Sequence, residues 1–238
     1  MTTAAPVHLA GQRLMLDPMG AVFWAERRLL AVSDLHLEKG SSFARKGMLL
    51  PPWDTHATLD RLTLLLRRWA PDTVVALGDS FHDRDGSKRL PATEQQRLQA
   101  MTRAHRFVWV LGNHDPKPPE GLGGEWVEQF NDGPVTFRHQ AVSKAATGEI
   151  VGHHHPKATI PARTGSVSRP CFVFDGRRLM MPAFGAYTGG LDVRDPAIHR
   201  LFPRGSRVFL LGKDRLFTFE MSAPTRRTAA EPGLFDRV

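Results

Sequence analysis

Acidic and imidazole side chains recur along this chain in short runs: Asp34-Leu35-His36, Gly78-Asp79, Gly112-Asn113-His114-Asp115, a single His139, and Gly152-His153-His154-His155. Carboxylate, imidazole and amide oxygen together suit borderline-hard divalent ions such as Mn²⁺, Fe²⁺ or Zn²⁺. Two such ions held about 3.5–4 Å apart clamp the attacking and leaving oxygens of a phosphoryl displacement, and need ligands on both sides. Each run alone is common by chance. The full set, in this order, supplies the parts of a two-metal phosphoesterase site.

These side chains converge only if the backbone brings them together. Every motif follows an apolar run that reads as a buried strand: LLAVSD, TVVALGD, FVWVLGNHD and EIVGHHH. Sites in open α/β sheets gather beyond the carboxyl ends of strands. Residues two apart on an extended segment share a face. Asp34 and His36 are therefore expected to point together, as are His153 and His155, with His154 turned away.

The segment RLMLDPMGAVFWAERRLLAVSD reads as three short strands joined by turns at DPMG and AERR. LPPWDT leads into a helix with Asp54 or Thr55 as N-cap and Leu59, Leu62, Leu65 and Leu66 on one apolar face. A second helix is expected over roughly 92 to 104. This β–α–β–α–β order predicts parallel strands with helical crossovers. From Glu125 onward the chain reads as short strands, with hairpins at FVFDGRRLMM and VFLLGKDRLFTF. The expected architecture is α/β: a two-sheet β-sandwich flanked by helices, one half α/β-like and the other mostly antiparallel. The metal site would lie at the seam, at the carboxyl ends of the strands. Residues 1–222 are expected to form this domain, and the polar, unpatterned 223–238 a disordered tail.

The 238 residues can bury a large core without disulfides. The single cysteine, Cys171, allows no intrachain bridge, which fits a reducing compartment. Its setting, PCFVF, predicts a buried small hydrophobe. MTTAAPVHLAGQRL has no apolar signal core and no run reaches membrane-spanning length, so a cytoplasmic protein is expected. A net charge of +8 and pI near 10.3 favour an anionic partner such as nucleic acid, or else reflect a solvated Arg-rich surface.

The motif set resembles the calcineurin-like metallophosphoesterase superfamily. The resemblance implies a metallophosphoesterase-type sandwich with two divalent ions per chain, Mn²⁺ first, with Fe²⁺, Zn²⁺ or Mg²⁺ as alternatives. It assigns Asp34, His36, Asp79 and His155 to metal one. Metal two would take Asp79, Asn113, His153 and one further histidine, for which His139 stands between Asn113 and the last motif. The longer strings DLHLEKGSSFARKGMLLPPWDT, GDSFHD, GEIVGHHHP and PAFGAYTGGL resemble the ligase-associated DNA damage response endonucleases. That likeness implies a DNA substrate, single-stranded or unpaired, and a repair helicase and an ATP-dependent DNA ligase as partners. One departure is Glu38, an added acid beside the metals where a small residue is expected.

His114 is the candidate general acid, because imidazole titrates nearest neutrality and a leaving oxygen needs a proton. Asp115 either orients His114 or caps a turn before Pro116. His82 either contacts substrate or a carboxylate, or is a plain loop histidine. Lys39, Arg84 and Arg169 are candidate phosphate contacts, and Tyr187, the only tyrosine, a candidate stacking ring. PAFGAYTGGL reads as a loop returning to the site, with Gly189 and Gly190 permitting close approach. The terminal GLFDRV faintly matches a sliding-clamp-binding peptide. Two other functions share these residues: a small-molecule or nucleotide phosphodiesterase or pyrophosphatase, and a non-catalytic metal-bound scaffold. Intact His114 argues against the second.

Overall fold

The computed structural model describes residues 3–119, 121–142, 147–162 and 165–223. GLFDRV and the rest of the chain after 223 lie outside the described residues. The first sheet contains β1 (Ala5–Leu9), β2 (Gln12–Leu16), β3 (Val22–Trp24), β4 (Leu29–Ser33), β5 (Thr73–Leu77), β6 (Arg106–Val110) and β7 (Glu125–Val127), hydrogen-bonded in chain order. β1 to β4 pair antiparallel and β4 to β7 parallel. Between β4 and β5 lie α1 (Lys39–Ala44) and α2 (Asp54–Trp69). Between β5 and β6 lie α3 (Gly86–Arg89) and α4 (Ala92–Ala104). β1, for which the sequence carries no clear strand signal, enters β2 through Ala10 and Gly11, both at positive φ. That is the backbone of a two-residue hairpin turn, made here without the usual Asn-Gly or Asp-Gly signal.

Pleating divides the apolar runs between two cores. Along β4, Leu29 and Ala31 face the space between the sheets, while Leu30 and Val32 face the helices. Burial on both faces is why LLAVS and TVVAL are continuously apolar. Leu59, Leu62, Leu65 and Leu66 of α2 pack into the helix-side core, each contributing about 1.5–3 kcal/mol by burial. The α2 start differs from expectation. Trp53 holds the cap position, and neither Asp54 nor Thr55 caps its own helix. Both side chains reach back to the preceding turn instead: Asp54 accepts from Gly40 N–H at 3.1 Å and Thr55 Oγ1 from Glu38 N–H at 2.9 Å.

The second sheet contains β8 (Gln129–Asp132), β9 (Val135–Arg138), β10 (Glu149–Val151), β11 (Lys157–Ala162), β12 (Gly165–Phe174), β13 (Arg178–Met180), β14 (Ser206–Leu211) and β15 (Leu216–Met221). Its order is β15-β14-β12-β13-β10-β9-β8, with β11 paired to β12. The short helix α5 (Pro196–His199) covers its outer face through Ile198. Both expected hairpins are present. Most pairings are antiparallel, but β10 runs parallel to β9 and to β13. WVEQF is divided at Glu128, with β7 in the first sheet and β8 in the second. The inner faces meet through Val75, Leu77, Val108 and Val110 on one side and Phe137, Ile150, Phe172 and Leu179 on the other. Cys171 is fully buried in the outer core. Among the described residues no helix is long and apolar enough to cross a membrane.

Candidate metal centre and active site

The chain beyond β4 stays paired with the chain beyond β5. His36 N–H donates to the Asp79 carbonyl at 2.9 Å and Leu37 N–H to the Ser80 carbonyl at 2.9 Å. Asp34, His36 and Asp79 nevertheless leave the extended conformation, at φ 53°, 43° and 46°, as do His153 and His155 at 69° and 47°. Left-handed backbone at non-glycine residues is uncommon and costs on the order of 1–3 kcal/mol each. The expected grouping of Asp34 with His36 is therefore present for a different reason. A left-handed kink at each residue aims the side chain, and pleat alternation does not.

Two triplets result. Ligand atoms of Asp34, His36 and His155 lie within 4.8 Å of one another, as do those of Asp79, His139 and His153. In the first, His36 Nε2 faces His155 Nε2 at 3.1 Å, and His155 Nε2 lies 3.2 Å from Asp34 Oδ1. In the second, His139 Nε2 lies 3.4 Å from Asp79 Oδ2 and 3.1 Å from His153 Nδ1. Asn113 Oδ1 reaches the same His139 nitrogen at 2.9 Å. Asp79 Oδ2 also lies 4.0 Å from His36 Nε2, so it addresses both groups. His154 belongs to neither triplet, and its buried Nδ1 has no partner among the described residues.

Glycine at two motif positions follows from crowding. A Cβ on Gly78 would enter the His139 ring, and one on Gly152 would collide with Ser33 Oγ and the Asp34 carboxylate. Ser33 Oγ–H donates to Asp34 Oδ2, and His153 N–H donates to the same oxygen at 3.1 Å. Burial raises the Asp34 pKa, but His155, His139 and these bonds outweigh it and hold the group below the usual carboxylate range. Asp79 is lowered in the same way: burial opposes, and bonding to His139 prevails. Burial drops His36 to about 3 and His153 to about 4. His139 shows the opposite result: burial pulls it down, but Asp79 and Asp34 raise it to about 9.

The donor set fits divalent metal. Imidazole nitrogens and a buried carboxylate converge in each of the two triplets, and mixed N/O donors match borderline ions. Asp34, His36 and His155 would hold one ion. His139, His153 and Asn113 would hold another, with Asp79 between.

The hydrogen bonds of Asp115 bear on its two sequence readings. Among the described residues the carboxylate makes no hydrogen bond to the His114 ring. Oδ2 accepts from Ser80 N–H at 2.7 Å and Phe81 N–H at 3.2 Å, and Oδ1 from Gly112 N–H at 3.0 Å. Asp115 thus ties the turn after Asp79 to the turn after β6. Burial pushes it up to about 6 against these donors, with the Asp79 charge adding to the rise. His114 is oriented by a backbone group instead: its Nδ1–H donates to the His82 carbonyl at 2.6 Å. Nε2 is left facing the site, 3.8 Å from Asp79 Oδ2. No sequence signal marks a carbonyl for this role, since every residue has one.

His82 groups with His36 and His114, its ring stacked on His114 at 5.4 Å. Glu38 belongs to none of these groups and accepts from Thr55 Oγ1–H at 2.8 Å. Lys39 opens α1 with its ammonium 5.6 Å from the Phe43 ring, and Phe43 in turn borders His82. Arg169 lies on the exposed β11–β12 hairpin opposite Ala158, and Arg84 is exposed beyond His82. The 181–191 segment does return to the site. Phe184 and Gly185 N–H donate to the Ser33 and Asp34 carbonyls at 2.8 and 3.0 Å, and Arg61 holds the Phe184 carbonyl at 2.7 Å. A Cβ on Gly190 would meet the His155 carbonyl, whereas Gly189 has open space. Tyr187 is exposed on this loop, at φ 59°.

The Calcineurin-like phosphoesterase family matches residues 27–175. The chain belongs to that family. It is a metal-dependent phosphoester hydrolase. Among solved structures, the nuclease MPE of Pseudomonas putida is 27% identical over 91% of this chain and 100% of its own, with a TM-score of 0.73. The Escherichia coli phosphoesterase Yfce is 14% identical over 82% of this chain and 99% of its own, at a TM-score of 0.43. A phosphoesterase-like protein of Streptococcus pneumoniae is 13% identical over 81% and 96%, at 0.32. No curated protein matches the chain.

Proposed function

We propose that this protein is a dinuclear-metal phosphodiesterase whose substrate is DNA, single-stranded or locally unpaired. The observation that carries the chemistry is Asp79, whose one carboxylate addresses both ligand groups, 3.4 Å from His139 Nε2 and 4.0 Å from His36 Nε2. The two ions, when bound, neutralise the non-bridging oxygens and lower the pKa of the attacking water. The chain's own part is at the leaving group. With Nδ1–H committed to the His82 carbonyl, protonated His114 offers its Nε2–H to the departing oxygen as the P–O bond breaks and the water oxygen bonds to phosphorus. Asp115 contributes by fixing the turn that carries Asp79.

The nucleic-acid reading is supported by the net charge of +8 and by the likeness to a nuclease. A role in ligase-associated repair, alongside a helicase and an ATP-dependent ligase, follows from the sequence resemblance. The test compares circular single-stranded DNA with bis-p-nitrophenyl phosphate, both in Mn²⁺, for the native protein and Asp79→Asn. The native protein should open the circle, and Asp79→Asn should lose metal and both activities. Two ions held tightly by Asp79→Asn would overturn the shared-ligand assignment. Hydrolysis of the small ester without any DNA cleavage would overturn the nuclease reading.

A further inference from the structure

A pocket of about 780 Å³ borders the turns that follow Asp79 and His114, and its lining includes Phe81 and Asp115. Phe81, Leu90, Pro116 and Pro118 give it apolar walls, and Arg84 and Lys117 stand on it with Gln95. It joins the site through the chain itself. Phe81 precedes His82, whose carbonyl orients His114, and Pro116 follows Asp115, which bonds Phe81 N–H at 3.2 Å. The prolines have fixed φ, so this wall is preformed.

The charges on the rim are unequal. Asp83 is engaged by Arg89 through two bonds of 2.9 and 2.7 Å, and Asp85 by Lys88 at 3.1 Å. Arg84 and Lys117 have no carboxylate partner among the described residues. Flat apolar walls, an amide and two unpaired cations are what a nucleotide requires: a surface for the base, a donor–acceptor group for its edge, and cations for phosphate. The volume falls within the range of about 300–1,000 Å³ usual for ligand pockets.

We propose that this pocket is the leaving-group subsite, holding the nucleotide that departs from the scissile phosphate on the His114 side. Its base lies against Leu90 and the prolines, with buried Phe81 behind them, and its next phosphate lies between Arg84 and Lys117. The assignment rests on the nuclease reading above and adds where the strand runs. It also predicts that DNA is cleaved poorly when too few nucleotides lie on the leaving-group side of the scissile bond to enter the pocket.

The experiment measures kcat/KM on a single-stranded oligonucleotide and on bis-p-nitrophenyl phosphate, which is too small to fill the pocket. The proteins are the native chain, Arg84→Ala/Lys117→Ala, and Gln95→Trp. The ratio of DNA to small-ester activity should fall about tenfold or more in both variants. In Ca²⁺, the slope of log affinity against log salt should become shallower in the double variant, by about 0.7 for each phosphate that the protein no longer neutralises. An unchanged ratio with an unchanged salt slope overturns the subsite. An equal fall on both substrates also overturns it, since it marks general damage to the fold. If the native protein cleaves the ester and no DNA, the nuclease reading itself has failed, a result visible before any variant is made.

Discussion

The two sheets deliver ligands to one site by different means. In the first, β4, β5 and β6 are parallel because helices carry the chain back across the sheet, and their cores are wholly apolar. In the second, β9, β10 and β13 are also parallel, but no helix joins them among the described residues. Between β9 and β10 the chain returns through residues 139–148, and between β10 and β13 through the β11–β12 hairpin. This parallel centre contains a buried ion group. Glu149 of β10 accepts from Arg178 Nε of β13 at 2.5 Å and lies 3.2 Å from Arg138 Nε of β9. Arg178 also donates to the Leu201 and Val142 carbonyls, at 2.9 and 2.7 Å. The first sheet holds its site strands in register by crossovers. The second ties its three site strands together with a charge network.

The largest expected effect lies on the first-sheet side. His114→Ala should keep its metal and lose about 10²–10⁴-fold in turnover, as loss of a general acid does. The loss should shrink for a nitrophenolate leaving group, which needs no proton. An equal loss on good and poor leaving groups would leave His114 as an electrostatic contact only.

Arg178→Met tests the second sheet. It leaves Glu149 with Arg138 and the Val142 N–H alone, and breaking a buried pair costs about 3–5 kcal/mol. Urea titration should show that loss, together with weaker metal retention, since His139 and His153 follow β9 and β10. A change under about 1 kcal/mol would mean that the network does not hold the strands.

Gly152→Ala probes the seam between the sheets. Its methyl group would displace Ser33 and Asp34, and overpacking of this kind costs about 1–3 kcal/mol. Activity should fall more steeply than stability, because the displaced Asp34 is a proposed ligand. Native stability and activity in this variant would refute the close approach.

The smallest effects come from residues beside the ligands or away from them. His154→Ala should be close to silent in metal content and rate, while His153→Ala and His155→Ala are not. If all three behave alike, His154 is a ligand and the two triplets are misassigned. Cys171, fully buried and with its thiol pushed up by burial, should resist iodoacetamide in the native protein and react only after denaturation. Prompt alkylation would show that the outer core of the second sheet opens readily.

The strands and helices of the first half were legible in the sequence because each carries a period and a boundary of its own. LLAVS and TVVAL are continuous runs, and α2 repeats leucine at helical spacing. Their order then implies parallel crossovers. The parallel centre of the second sheet was not legible, because hairpins and loops that return a strand have no periodic signature. The two readings of Asp115 stayed open in the sequence for a related reason. Its neighbour in sequence is His114, but its partners are three amides, two of which belong to a turn 34 and 35 residues away.

By itself the sequence determined which side chains are available for metal and proton transfer, and which segments must be buried to carry them. Both follow from residue type and local period. Only the tertiary structure decided how they meet. Left-handed kinks aim Asp34, His36, Asp79, His153 and His155, and a carbonyl of His82, rather than a carboxylate, orients His114. Asp79 stands between two triplets drawn from both sheets. These outcomes depend on distances between segments far apart in the chain. Such distances are set by packing, which no local pattern of residues encodes.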